Sequence, residues 1–400
     1  MAVSIPADVN PALLKWARDQ SGYSLRELAK AIGVSDDRIQ AWEQGERRPT
    51  VRQIQTLAKR LRRPFGVFFL PQPPVVAALA TEYRRLPSVH PGDETPEFRM
   101  AVRVMLQRRD VAAELLEELG QRMPEFGIRA ALSESATTVG QRIRAALGIP
   151  VERQLAWHDE WEAWRAWRGA VENVGVLVFQ FPKVSLEQAR GVLLPRVALP
   201  VIGINAKESA PGARAFSLLH ELVHLSLALS KEERTALLDT RPDVEWADVE
   251  RFADEAAGEA LVPTDAVRKM ALRGRPPDGW DGGSVRSLAA RFRVTPAAMA
   301  VRLQTAGLMS WDEYRRWRSA WDAYVATLKP RHGGPTTPAE KALSRGGRPY
   351  AQLVLEAFDL GRITAVDASR HLDLRFDHVD SLRHELRRPT RSSVDTAGEV

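Results

Sequence analysis

Apolar residues recur at helical spacing through the N-terminal part of the chain, in short runs separated by turn residues. The runs "NPALLKWARDQ", "SLRELAKAIG", "SDDRIQAWEQG" and "VRQIQTLAKRL" carry apolar positions three and four apart, which places them on one helix face. Ser24 and Glu27 form a capping box, and Gly33 is a natural helix stop. The next helix begins at Ser35. Two short helices around a glycine turn predict a helix-turn-helix within residues 1–72.

This stretch resembles the Cro/repressor type of helix-turn-helix, through "SLRELAKAIGVSDDRIQAWEQGERRPT" followed by "LAKRL". The resemblance implies that the helix beginning at Ser35 binds DNA. Two carboxylates in its first turn, Asp36 and Asp37, would repel phosphates, although an aspartate can accept a hydrogen bond from cytosine. The alternative is a helical domain that binds a protein, such as a related regulator. The candidate DNA contacts are Ser35, Asp36, Asp37, Arg38, Gln40, Arg47 and Arg48.

A helical connecting region is predicted over residues 73–155. It contains one long periodic run, "FRMAVRVMLQRRDVAAELLEELGQRM", and a second, "SATTVGQRIRAALGIP". The helical run that follows carries tryptophans at intervals of four, three and three. Such a stripe predicts packing, with a stacking surface for bases as the alternative. These residues are Trp157, Trp161, Trp164 and Trp167, and His158 beside them is interpreted as structural.

The pattern then changes from helical spacing to short β-branched and aromatic runs. "VGVLVFQFP", "ARGVLLP" and "LPVIGIN" each predict a short buried strand. An apolar helix follows directly, so residues 156–270 are predicted to form a small α+β domain. We expect "PVIGIN" to be an edge strand that can pair with an extended substrate segment through its backbone.

The remainder of the chain is predicted to be helical around one linker. "SVRSLAARFRVTPAAMAVRLQTAGLM" predicts a helix pair within residues 271–330, with Thr295 capping the second helix. Residues 331–347 are rich in Gly, Pro, Ser and Thr and are predicted to be a linker. Residues 348–388 are predicted to form a small helical region, and the polar residues 389–400 are predicted to be a disordered tail. His371, His378 and His384 are too scattered for a metal site and are interpreted as surface residues. The fold class is therefore α+β and mostly helical.

Composition narrows the chemistry that the chain can support. It is 44% hydrophobic and 27% charged, as in globular proteins, without a signal peptide or an apolar run long enough to cross a membrane. A cytoplasmic protein without membrane partners is expected. The absence of cysteine leaves metal binding to His, Asp and Glu. The net charge of +6 is compatible with nucleic acid but does not require it.

An H-E-x-x-H motif lies in the apolar run "SLLHELVHLSL". His220 and His224 are four residues apart, so on a helix both imidazoles lie on one face and can reach one ion. Glu221 lies about 100° around the helix, where it can contact a metal-bound water without ligating the metal. A catalytic zinc ion takes three protein ligands and leaves one position for water. The motif therefore predicts a zinc site that needs a third ligand.

The third ligand is predicted downstream, in "DVERFADEAAGEALVP". Glu250 precedes Asp254 by one helical turn, the spacing with which thermolysin-like zinc enzymes bind metal through the Glu and support a zinc-bound histidine through the Asp. Glu255 and Glu259 are the competing candidates. A solvated acidic face is the alternative interpretation of the whole segment.

Together, "GVLVFQFP…RGVLL…LPVIGINAK…ARAFSLLHELVHL…VERFADEAAGEALVP" resembles the ImmA/IrrE family of zinc metallopeptidases. The resemblance is to the long members with an N-terminal Cro/repressor-type domain. It implies a cytoplasmic protease that cleaves a partner repressor of helix-turn-helix type and so relieves repression. By position, His220 and His224 match the metal histidines, Glu221 the catalytic glutamate and Glu250 the third ligand. Zinc is the expected cofactor, with another divalent ion such as Mn²⁺ as the alternative.

Two positions depart from the family pattern. Val223 stands where a glycine is common and is expected to narrow the site, and Asp254-Glu255-Ala256-Ala257 replaces Asn-x-Phe-Ala. Neither departure removes a ligand. The leading hypothesis is a zinc endopeptidase fused to a helix-turn-helix. The alternative is a DNA-binding regulator whose peptidase-like domain senses or binds a partner without cleaving it.

Overall fold

A computed structural model describes residues 5–76, 78–84, 86, 89–277, 279–328 and 336–388. These residues divide into two compact units. The first unit comprises Met1–Thr81 and Val89–Val104, and the second comprises Glu82–Ser88 and Met105–Val400. The predicted tail, residues 389–400, lies outside the described residues.

The first unit is all-helical. Its helices are α1 (Pro11–Ser21), α2 (Leu25–Ile32), α3 (Asp36–Glu43) and α4 (Val51–Leu61), followed by a 3₁₀ turn at Phe65–Phe69. Both hydrogen bonds of the Ser24–Glu27 capping box are present, and Gly33 ends α2 with φ 73°. Ile39 and Trp42 of α3 are buried in the apolar core of this unit, and Arg18 Nε donates to Glu43 Oε1 at 2.7 Å. The predicted helix-turn-helix is confirmed.

The long helix α5 (Pro96–Glu118) follows, and the boundary between the two units falls within it. Its N-terminal part belongs to the first unit. There Arg99 Nη1 donates to the carbonyl of Asp19 at 2.9 Å, and Arg103 Nη2 donates to Ser21 Oγ at 3.2 Å. The first unit therefore uses residues well beyond the predicted helix-turn-helix range 1–72.

The second unit surrounds a three-stranded sheet. After the C-terminal part of α5, its helices are α6 (Ala136–Ala146), α7 (Val151–Ala156) and α8 (Glu160–Asn173). The strands are β1 (Leu177–Phe181), β2 (Gly191–Leu194) and β3 (Val201–Asn205), and all three are buried along their length. The predicted mixture of many helices and one small sheet is confirmed.

The strand order corrects one prediction. β3 lies in the centre of the sheet, parallel to β1 and antiparallel to β2. Its backbone groups are therefore paired on both sides, and it cannot accept a substrate segment as the expected edge strand. The edge strands are β1 and β2.

Two long helices follow the sheet, α9 (Pro211–Ala228) and α10 (Asp243–Leu261). The remaining helices are α11 (Thr264–Gly274), α12 (Gly282–Phe292), α13 (Pro296–Thr305), α14 (Trp311–Ala326), α15 (Pro338–Gly346), α16 (Arg348–Asp359), α17 (Ala365–Leu372) and α18 (Val379–Arg387). As predicted, Thr295 caps α13, accepting a hydrogen bond from the amide of Ala298. No helix that the structure describes has both the length and the apolar character needed to cross a membrane.

The prediction of an irregular linker over residues 331–347 was wrong in its described part. Thr337 and Glu340 form a capping box that starts α15, and Ala339 and Ala342 bury the helix against the rest of the unit. The Gly, Pro and Thr residues that indicated a linker act here as helix boundaries. Residues 331–335 lie outside the described part of the chain.

The four tryptophans do not lie on one continuous helix, as their spacing had predicted. Trp157 lies between α7 and α8, since Asp159 caps α8. Trp157, Trp164 and Trp167 are buried in the core, whereas Trp161 is 46% exposed, with the Arg214 guanidinium 5.2 Å above its ring. Three of the four residues therefore pack as predicted.

Candidate active site

Helix α9 carries the H-E-x-x-H motif through the middle of the second unit. It starts with Pro211 at its first turn, and from Leu218 to Leu227 only His220 is not fully buried. A helix that is apolar on nearly every side must be surrounded by other elements. The two histidines and Glu221 are consequently held on a rigid, enclosed helix. Val223, expected to narrow the site, belongs to the apolar core.

His220, His224 and Glu250 converge on one point. The two Nε2 atoms are 3.1 Å apart. Glu250 Oε2 lies 3.3 Å from His220 Nε2, and Glu250 Oε1 lies 3.4 Å from His224 Nε2. Two ligands held about 2.1 Å from a tetrahedral zinc ion are about 3.4 Å apart. The three side chains therefore fit a metal ion with this donor set. Within the described residues, this is the one group of three or more candidate ligands close enough to share an ion.

Small residues of α10 bring Glu250 to the histidines. Ala253, Ala256 and Ala257 are fully buried in the core that α9 and α10 share. Alanine side chains permit close approach of two helices, so the helix that carries the third candidate ligand packs tightly against the motif helix.

Two acidic residues hold the outer nitrogens of the imidazoles. His224 Nδ1 lies 2.7 Å from Glu233 Oε2, and Arg241 Nη2 donates to the other oxygen of that carboxylate at 2.6 Å. His220 Nδ1 lies 2.9 Å from Asp254 Oδ1, in the position predicted for Asp254. A carboxylate hydrogen-bonded to Nδ1 orients the ring so that Nε2 points at the ion, and Glu233 is placed to do this for His224. Nothing in the sequence pattern distinguished Glu233 from its neighbour Glu232.

Burial and these contacts shift the protonation equilibria of the site. Burial would lower the pKa of His220, but its contacts with Asp254 and Glu250 raise it to about 10. Burial and the nearby Arg84 lower the pKa of His224. Burial opposes ionisation of Glu233, yet His224 lowers its pKa to about 2. The pKa of Glu250 is also lowered, because Arg84 and the histidines outweigh burial. Anionic carboxylates are thus maintained at the point where a cation would bind.

The competing third ligands lie elsewhere. Glu255 is exposed on α10. Glu259 is buried and forms an ion pair with Arg302, and it accepts a hydrogen bond at 3.2 Å from the amide of Thr264 at the start of α11. The carboxylate of Glu259 is therefore used in joining α10, α11 and α13.

Glu221 is buried between β2 and the segment around Arg84. A Cβ atom on Gly191 would lie only 2.7 Å from Glu221 Oε1. Strand β2 therefore approaches the carboxylate as closely as a backbone can, and it needs glycine at that point.

Arg84, like Glu233, is a residue of the site that the sequence did not indicate. Its guanidinium donates to Glu221 Oε2 at 2.9 Å and to Glu250 Oε1 at 2.8 Å. One of its nitrogens also lies 3.3 Å from His220 Nε2. Burial would lower the pKa of Arg84, but Glu221 and Glu250 raise it. Arg84 stands in a loop-like stretch far from the motif in sequence, so neither periodicity nor spacing marks it.

The candidate DNA contacts form an exposed group on the first unit. Ser35 precedes α3, Arg38 and Gln40 lie on it, and Arg47 and Arg48 follow it. All seven predicted residues are exposed. Arg48 forms a solvent-exposed ion pair with Asp8, at 3.4 Å.

The other described histidines do not join the metal site. His158 is exposed beside α8, His371 lies on α17, and His378 and His384 lie at α18. None of them belongs to a group of candidate ligands within the described residues.

Fold and site together define a helix-turn-helix domain joined to a metallopeptidase-type domain. Residues 14–68 match the helix-turn-helix family model HTH_3. Residues 171–304 match the Peptidase_M78 model, described as the IrrE N-terminal-like domain. The chain is therefore similar to a helix-turn-helix over the first range and to the IrrE N-terminal-like domain over the second, and the suspected resemblance is confirmed. A search of proteins with curated descriptions found no match.

Proposed function

We propose that the chain is a zinc-dependent endopeptidase fused to a helix-turn-helix, and that it cleaves a repressor-type regulatory protein. The observation that carries the proposal is the convergence of three side chains. The Nε2 atoms of His220 and His224 are 3.1 Å apart, and Glu250 Oε2 and Oε1 lie 3.3 Å from the first and 3.4 Å from the second. Glu221 stands beside these three side chains. Two imidazoles, one carboxylate and an adjacent glutamate are the groups that metal-assisted peptide hydrolysis needs.

Each side chain of the site has a distinct role in this proposal. A bound divalent ion would lower the pKa of a water molecule to about 7 and polarise the scissile carbonyl. Glu221 takes the proton of the attacking water and passes it to the leaving amine. Glu233 holds the imidazole ring of His224 and Asp254 lies beside that of His220, whereas Gly191 leaves room for the Glu221 carboxylate.

Zinc fits the donor set best, since two imidazoles and one carboxylate are a common catalytic zinc set. Mn²⁺ can use the same side chains and is the second candidate. The proposed substrate is a protein, and a helix-turn-helix repressor in the cytoplasm is the partner that the family suggests. The exposed α3 surface supports a parallel contact with double-stranded DNA.

The decisive experiment compares wild type with Glu221→Gln. The amide keeps the size of the side chain but cannot accept the proton, so at saturating zinc we expect metal content to be unchanged and cleavage to fall at least about a hundredfold. The inactive variant should retain the partner protein in a pull-down, and wild type should cut that partner at a site that mass spectrometry can map. Glu255→Gln, an exposed glutamate on α10, is the matched control.

One observation favours the alternative of a regulator that binds a partner without cleaving it. Both oxygens of Glu221 accept hydrogen bonds from Arg84, at 2.9 and 3.1 Å, so the proposed base is engaged. If wild type and Glu221→Gln leave the trapped partner equally intact in the presence of zinc, the regulator is correct and the peptidase is not.

A further inference from the structure

The segment Tyr83–Arg84 lies along the outer edge of β2. The Arg84 amide donates to the carbonyl of Leu193 in β2 at 3.2 Å, and the carbonyl of Tyr83 accepts from the amide of Ala236 at 2.6 Å. Arg84 also forms an isolated antiparallel bridge with Thr235. An extended chain held by backbone hydrogen bonds to an edge strand is the arrangement in which proteins bind peptide segments.

The side chain of Arg84 contacts the side chains that are proposed to bind the metal ion and its water. Arg84 is 2% exposed, and its guanidinium contacts the base Glu221, the ligand Glu250 and the ligand atom of His220. These contacts use lone pairs that a metal ion and its water would need. A guanidinium and a divalent cation would also repel each other strongly at this range in a buried site.

The positive charge of Arg84 explains why an arginine occupies this position. Glu221 and Glu250 bring two carboxylates into one enclosed site, and buried carboxylates need a compensating cation. Arg84 supplies that positive charge, in the place where a metal ion would supply it. The side chain and the ion are therefore alternative occupants of one site.

We propose that the Tyr83–Arg84 segment is an internal latch, which fills the substrate groove along β2 and excludes the metal ion until it is displaced. Metal binding and opening of the groove are then coupled, and by reciprocity whatever draws the segment from β2 also tightens metal binding. The groove assignment rests on the proposed function, whereas the competition between Arg84 and the metal rests on the contacts alone.

The first test measures zinc affinity by competition with a chromophoric chelator. A closed latch lowers the apparent affinity by the fraction of molecules that are open. We expect Arg84→Met to bind zinc about tenfold more tightly than wild type. Arg84→Lys cannot span both carboxylates, so its zinc affinity should lie between those of wild type and Arg84→Met. Arg345→Met, which removes an arginine from an exposed ion pair with Asp373, should leave the affinity unchanged. Equal or weaker zinc binding by Arg84→Met would overturn the latch.

A second variant loosens the segment without touching the site. The carbonyl of Thr235 accepts from the amide of Leu238 at 2.9 Å, so Ala236 is the second residue of a turn, a position that accepts proline. Ala236→Pro removes the amide that holds Tyr83 and should tighten zinc binding about fivefold, since one hydrogen bond is lost from the closed form. An unchanged affinity in a folded Ala236→Pro protein counts against the latch.

Backbone exchange provides a measurement on the unaltered protein. In wild type, saturating zinc should speed hydrogen–deuterium exchange in the peptide that contains residues 79–86, because the bond from Arg84 to Leu193 is lost. If exchange stays as slow with zinc as without it, ion and segment coexist and the latch is wrong. The Glu221→Gln cleavage assay is independent of this result, so failure of the latch and failure of the peptidase can be told apart.

Discussion

Glu233 is a buried carboxylate that orients His224, a candidate metal ligand, without being a ligand itself. It is 5% exposed and lies between His224 Nδ1, at 2.7 Å, and Arg241 Nη2, at 2.6 Å. Because Arg241 holds the carboxylate from the other side, the imidazole ring of His224 has little freedom to rotate. The Nε2 atom of His224 is therefore directed at the candidate metal position.

We predict that Glu233→Gln weakens zinc binding about 10- to 100-fold, the usual effect of removing the carboxylate behind a metal-bound histidine. The amide is a weaker acceptor than the carboxylate, so the ring loses both orientation and basicity. The measurement is chelator competition with the purified protein. Glu232→Gln is the matched control, since Glu232 accepts a hydrogen bond from the amide of Leu132. Equal losses in the two variants would mean that Glu233 acts only through general stability.

The sequence predicted those site residues whose relation is local or periodic. His220, Glu221 and His224 follow from helical geometry, and Glu250 follows from the spacing to Asp254. Arg84 contacts Glu221 across 137 positions of the chain, and such a contact depends on the tertiary fold. Gly191 escaped prediction for the same reason, and Glu233 because nothing in the sequence pattern distinguishes it from Glu232.

At the scale of elements, the position of Glu250 depends on how closely α10 packs against its neighbours. Gly140 of α6 lies against the backbone of α10, where an added Cβ would stand 2.5 Å from the carbonyl oxygen of Ala256 and 2.7 Å from Glu259 Cβ. Backbone atoms cannot move aside as a flexible side-chain end can. The absence of a side chain at Gly140 therefore sets the distance between α6 and α10.

We predict that Gly140→Ala destabilises the protein by about 1–3 kcal/mol, because overpacking outweighs the gain of about 1 kcal/mol in helix propensity. Gly169→Ala in α8 is the matched control, since a Cβ there meets nothing within 4 Å. That variant should gain about 0.5–1 kcal/mol. Chemical denaturation of both variants gives the comparison. Stabilisation by Gly140→Ala would show that α6 and α10 are less tightly packed than described.

Strand and linker predictions show where pattern alone is insufficient. The three strands were recognised from their β-branched runs, but their order β1-β3-β2 depends on pairing that a single sequence does not encode locally. For α15, the Thr337 cap and the buried alanines gave a weaker signal than the surrounding Gly and Pro. Composition therefore favoured a linker at a place where packing within the second unit stabilises α15.

At the scale of the whole molecule, the two candidate functional surfaces lie in separate compact units. The exposed α3 surface belongs to the first unit, and the metal-site cluster with Arg84 belongs to the second. The net charge of +6 is small for 400 residues, so nucleic-acid binding depends on local charge. The balance between the arginines and aspartates around α3 decides whether this unit binds DNA or a protein.

Opposite charge changes on the α3 surface should therefore have opposite effects on DNA affinity. We predict that replacing both Arg47 and Arg48 by alanine weakens binding to a random-sequence duplex and lowers the slope of log K against log salt by about two, since each phosphate contact contributes about one. Replacing Asp36 and Asp37 by asparagine should strengthen binding, because repulsion from phosphates is removed. Fluorescence anisotropy at several salt concentrations measures both effects on the full chain, with Arg345→Ala in the second unit as control. If neither pair changes the affinity, the helix-turn-helix recognises a protein, and DNA is not its partner.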